Sequence, residues 1–78
     1  MKIGEIWIIK TGKRLEPYDR RGDVIEITNL YRDEEDNSDC VEYEVVYAEN
    51  HVESPYEPIG GMMYREELIR DYRRENAE

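Results

Sequence analysis

Residues 23–48 read DVIEITNLYRDEEDNSDCVEYEVVYA, and this stretch decides the fold. Its last part, residues 40–48, has the cleanest alternation in the chain. Val41, Tyr43, Val45 and Tyr47 lie on one face, with Glu42 and Glu44 on the other. A period of two belongs to a strand with one face against a core and the other in water. Residues 23–32 form the partner strand, with Ile25 and Ile27 facing one way and Val24 and Leu30 the other. Between them Asp33 to Asp39 contains no apolar residue. Two strands around a polar turn predict a hairpin.

Working outward, residues 2–10 are rich in β-branched and aromatic side chains and predict a first strand. Residues 11–22 read as a long loop. Thr11-Gly12 and Arg21-Gly22 are turn signals there, and Pro17 has no N–H for a ladder. Residues 49–58, with Pro55 and Pro58, read as a second loop, and 59–64 as a short strand weakened by Gly60-Gly61. Residues 65–75 predict a helix. Leu68, Ile69 and Tyr72 have helical spacing, Glu66 and Glu67 fall in the first turn, and Arg70, Arg73 and Arg74 come late, which suits the helix dipole. Glu66 and Arg70 form an i,i+4 pair. The tail from Asn76 should fray. Short strands in a chain this small favour closure, because closure removes exposed edges. The expected fold is mainly β: one domain over residues 1–75, a small β-barrel with a C-terminal helix.

The composition narrows the function. The chain has 78 residues, one Cys, one His, seven Tyr, one Trp and no Phe. Cys40 has no disulfide partner, and Cys40 with His51 falls short of the four ligands of a structural zinc site. A lone thiol suits a reducing compartment. With no apolar run near the ~20 residues of a membrane span, and a strand-like start in place of a signal peptide, a cytoplasmic protein without membrane contact is expected. No Ser-His-Asp set, phosphate-cradling glycine loop or metal motif is present. The expectation is no enzyme, no cofactor and no metal.

The charge is segregated. Between Asp33 and Glu57 stand ten acidic residues and no Lys or Arg. Residues 1–32 carry net +2 and residues 33–78 net −11, within a total of −9. A one-signed field opposes a compact fold unless something uses it. The plain reading is a solvated face that keeps a small protein soluble. The functional reading is a surface for a basic partner, with Asp33, Glu34, Glu35, Asp36, Asp39, Glu42 and Glu44 as contacts. Glu42 and Glu44 discriminate best, because a strand fixes their spacing and solubility does not require that. Asp33, Asp36 and Asp39 also recur every three residues, but without the order of a calcium loop.

Gly4-Glu5-Ile6-Trp7, Gly22-Asp23-Val24-Ile25, Val41-Glu42-Tyr43, and Met63 followed by Glu66, Leu68, Ile69 and Tyr72 span most of the ordered chain. In these motifs the chain resembles small Src-homology-3-like barrel proteins of bacteriophage and prophage origin. The resemblance implies a binding module more often than an enzyme and names no ligand, since function lives in the site rather than the fold. The long acidic segment departs from the usual short turn.

Two readings follow. In the first, the acidic face binds a basic surface of a host protein, as an inhibitor or modulator of a host nucleic-acid enzyme or defence system, partly by nucleic-acid mimicry. In the second, the barrel is a structural or assembly module that dimerises or docks in a larger complex through Trp7, Tyr18 and Tyr56. Trp7 reads first as core, with Tyr43, Tyr47 and Tyr72, whereas Tyr18 and Tyr56 sit beside prolines in loops. Lys13, Arg14, Arg20 and Arg21 make a basic loop. Direct nucleic-acid binding is not expected at net −9; the loop reads as an internal balance to the acids.

Overall fold

The computed structural model describes residues 1–12, 21–48 and 60–75. Tyr18, Tyr56, Lys13, Arg14, Arg20 and His51 lie outside the described residues, as does the tail from Asn76.

The elements are β1 (Ile6–Ile9), β2 (Val24–Asp33), β3 (Ser38–Tyr47), β4 (Gly60–Tyr64), α1 (Arg65–Asp71) and β5 (Tyr72–Arg74). The strands form one antiparallel sheet in the order β4-β3-β2-β1-β5. The fold is therefore mainly β with one short helix. No pairing joins β4 to β5 among the described residues, so the sheet is open at both edges and the expected closure into a barrel is not seen.

The hairpin forms where the alternation places it, from β2 and β3. Its turn is tighter than expected: pairing continues to Asp33 opposite Ser38. The register slips twice, between Val24 and Ile25 and between Ile27 and Asn29. Such slips mark bulges, which bend and twist a strand. The first corrects the reading of Tyr47. A strict period would put it beside Val45 in the core, but the slip breaks the alternation there, and Tyr47 is 55% exposed.

The C-terminal region differs more. The helix expected over 65–75 ends at Asp71. Tyr72 has extended backbone, and its N–H still bonds the Leu68 carbonyl as the cap. Tyr72, Arg73 and Arg74 then pair with Ile9, Ile8 and Trp7 as β5. Tyr72 is buried, as its spacing suggested, but from a strand, while Ile69 is left exposed. The sequence pattern around Leu68 and Tyr72 fits either element; the partner strand some sixty residues away decides. Gly60-Gly61 does not abolish β4. Gly60 has φ 134°, and a Cβ there would run into the Tyr43 carbonyl oxygen, so glycine is what permits this approach.

One face of the sheet holds the core: Ile25, Ile27, Val41, Tyr43 and Met63, with Leu68 and Tyr72 packed on them. Trp7, Ile9 and Val45 pack at its margin. Full burial of an aliphatic side chain such as Leu68 contributes about 1.5–3 kcal/mol.

Candidate functional site

The core fixes one face of the hairpin, so the alternate residues form the other. Cross-strand partners share a face, and the register defines this outer surface in rows. Glu44 stands opposite Glu26 on β2 and Gly60 on β4. Glu42 stands opposite Asn29 and Met62, and Cys40 opposite Tyr31 and Tyr64. Glu42 and Glu44 are exposed, and Glu26 is half-buried. Among the described residues no cation pairs with any of the three. Like charges directly opposite one another are unfavourable, so Glu26 and Glu44 oppose the pairing of their own strands.

The turn is organised differently. The Asp33 Oδ1 accepts the Glu35 N–H at 2.9 Å and, more weakly, that of Asp36 at 3.5 Å. Asn37 takes a left-handed backbone with φ 55°, which asparagine tolerates. The Arg32 guanidinium closes the turn: it donates to the Asn37 side chain at 2.8 and 3.1 Å, to its carbonyl at 3.2 Å and to Asp39 at 3.2 Å. Arg65 approaches the other Asp39 oxygen at 3.9 Å. The Tyr64 hydroxyl donates to Asp36 at 2.8 Å, and this bond to a carboxylate raises the phenol's pKa. Asp36 and Asp39 therefore have partners, while Glu34 and Glu35 are exposed and their carboxylates have no partner among the described residues. A cleft of about 540 Å³ lies beside the turn, with Arg32, Asp39, Tyr64, Arg65 and Ile69 in its walls. Its lining carries both signs of charge. Asp33, Asp36 and Asp39 turn to different partners, and no group of three acidic, His or Cys side chains suited to a metal ion occurs among the described residues.

At the far side of the sheet, Trp7 packs against the core margin, and its indole N–H donates to Glu5 at 3.3 Å. Glu5 also pairs with Arg74 at 3.1 Å. Burial pushes the Glu5 carboxyl up, but the Lys2 backbone, Arg74 and Trp7 together outweigh it and hold the group below its ordinary range. Arg21, the described member of the basic loop, does not balance the acidic turn. It reaches Asp71 at 2.8 Å, and Arg70 grips the same carboxylate with two bonds of 2.9 Å. Arg70 is thereby drawn away from the Glu66 pairing that its spacing suggested. The Arg21 guanidinium also lies 5.8 Å from the centre of the Tyr72 ring, whose hydroxyl donates to the Gly22 carbonyl at 2.6 Å.

The expected contact residues thus fall into separate groups. Glu42 and Glu44 share a rigid face, the turn acids sit at one end of the hairpin, and Trp7 belongs to the core margin of β1. Sequence reasoning missed Glu26, Met62 and Tyr64 on the outer face. The alternation of β2 placed Glu26 opposite the core face and could have found it; Met62 and Tyr64 needed the register of β4.

No protein family, no curated protein and no solved structure matches the chain. No helix among the described residues is long and apolar enough to cross a membrane.

Proposed function

We propose that this protein is a non-enzymatic binding module of the cytoplasm, a small Src-homology-3-like barrel of bacteriophage type. It binds a basic surface of a host protein, and in doing so inhibits or modulates a nucleic-acid enzyme or a defence system. The observation that carries the reading is the row of Glu26, Glu42 and Glu44 on the outer face of β2 and β3, which has no cation among the described residues. Glu42 and Glu44 are two residues apart along a strand, roughly 6.8 Å, and Glu26 lies one strand spacing away, roughly 4.8 Å. This is fixed, closely spaced negative charge of the kind that a phosphate backbone presents. Its arrangement costs the sheet stability, which solvation alone does not require. The order β4-β3-β2-β1-β5, with the first strand of the chain lying between β2 and the last, supports the barrel-like reading.

The test is a pull-down from bacterial lysate at low salt, with stepwise salt elution, using the wild type and the double variant Glu42→Lys/Glu44→Lys. A DNA- or RNA-handling protein that leaves at moderate salt and is absent from the variant is the expected result, because screening weakens exposed charge contacts. Equal capture by a variant with an unchanged far-ultraviolet spectrum would remove the acidic face from the mechanism.

The assembly reading names Trp7, Tyr18 and Tyr56; Trp7 packs at the core margin and the two tyrosines lie outside the described residues, so its support here is the exposed apolar side chains Val46, Tyr47 and Met62. Contacts made through them would persist or strengthen with salt, and the same elution series separates the two.

A further inference from the structure

The two open edges of the sheet are unlike. β5 has three residues, two of them Arg73 and Arg74. Shortness and charge are common protections of an edge strand. β4 has five residues, Gly-Gly-Met-Met-Tyr, with no charge and no proline. Its pairing is with β3 alone, and its outward backbone groups have no partner among the described residues. Next to this edge stand Glu42 and Glu44. Their β4 neighbours are Met62 and Gly60, so nothing larger than a hydrogen stands between Glu44 and the edge.

We propose that β4 receives an extended basic segment of a partner protein as a sixth strand. The proposal rests on the reading of the outer face as a basic-partner surface, and it assigns the partner's conformation and the backbone groups that hold it. An added strand would lie about 4.8 Å from β4, two strand spacings from Glu42 and Glu44. Lys or Arg at alternate positions reaches across that distance, because the aliphatic stem can lie over apolar surface while the charged end extends beyond it. Met62 supplies that surface, and Gly60 leaves the way to Glu44 open. Tyr64, oriented by its bond to Asp36, offers a ring at the end of the same row. Main-chain bonds would supply affinity and the alternate cations specificity, as in other strand additions. A second copy of this chain is a poorer occupant, since each copy would bring another net −9.

The probe is a nine-residue end-capped peptide of alternating Lys and Val, compared with the same peptide methylated on every backbone nitrogen. The two have equal charge, but the second has no backbone donors. Binding to the wild-type protein is read by titration, and amide hydrogen exchange is followed residue by residue. The expected result is slowed exchange at outward-facing amides of Gly60–Tyr64, unchanged exchange in β5, and binding at least about tenfold weaker for the methylated peptide, the loss expected from one or two hydrogen bonds. Equal binding of both peptides would overturn the strand addition and leave the acidic-face reading standing. No binding of either at low salt would overturn both. Protection of β4 that grows with protein concentration alone would give the edge to a second copy and overturn the proposal.

Discussion

The protein uses its carboxylates in two opposite ways. Asp71, at the end of α1, is 5% exposed, and two arginines, Arg21 and Arg70, reach it. Glu26, Glu42 and Glu44, on the outer face of β2 and β3, have no cation among the described residues. The first carboxylate joins α1 and β5 to the start of the hairpin and serves the fold. Of the others, Glu26 and Glu44 stand opposite each other and push against the pairing that holds them. A buried acid must be compensated, because desolvation is costly; an exposed acid on a strand need not be. The total charge of the chain conceals this division, and the division locates the surface available to a partner.

The largest effect should come from Asp71→Ala. Removal of a buried member of an ion pair costs about 3–5 kcal/mol when both partners are inaccessible. The expected loss is about 2–3 kcal/mol in urea unfolding, because Arg70 is largely exposed and keeps its hydration. A loss no greater than that of Glu42→Ala would erase the contrast between the two regions. Tyr72→Phe keeps the ring and removes the bond to the Gly22 carbonyl. It should cost about 1 kcal/mol by the same measurement, and no change would show that the ring of Tyr72, without its hydroxyl, suffices beside the β1 pairing. Glu44→Lys should act in the other direction. An opposite-charge pair with Glu26 replaces a repulsive one, for a gain of about 0.2–1 kcal/mol, while binding to a basic partner weakens. A variant that is both less stable and weaker in binding would mean that Glu44 supports the sheet.

The smallest effect concerns pH. The folded state holds Glu5 below its ordinary range. Its contribution is therefore present above the unfolded pKa and is lost as pH falls through the folded one. Wild type should be more stable than Glu5→Gln at neutral pH, and the difference should shrink as the solution is taken below the ordinary carboxylate range. A difference that does not vary with pH would assign the role of Glu5 to packing around Trp7.

The sequence made the hairpin legible because Val41, Tyr43, Ile25 and Ile27 follow a local period that tertiary structure then respects. Glu42 and Glu44 came with it, as the other half of the same alternation. What failed was non-local. Tyr47 left the core because of a bulge that no residue type announces. The C-terminal region became a helix and a strand in place of one helix because β1 offers Tyr72, Arg73 and Arg74 hydrogen-bond partners that a window of neighbours cannot reveal. Arg21 belongs by sequence to a basic loop, and its carboxylate, Asp71, lies fifty positions away. The free edge of β4 had no signature either, since an edge is a property of strand order. Gly60-Gly61 is a signal, but sequence alone suggests weakness in the strand, whereas the pair marks a close approach to the Tyr43 carbonyl and an uncovered Glu44.

Cys40 occupies the row between Tyr31 and Tyr64, is 2% exposed, and is the one thiol in the chain. Its burial there, next to the β3–β4 seam, makes it an internal clock. A thiol reagent reacts only when the strands and side chains around the sulfur part, Tyr31 of β2 and Tyr64 of β4 among them, so the labelling rate at low reagent concentration counts local openings around Cys40. If the outermost strand lifts more often than the whole chain unfolds, the sulfur will react faster than global stability allows. Any molecule that settles against β4 will slow the clock without touching the thiol.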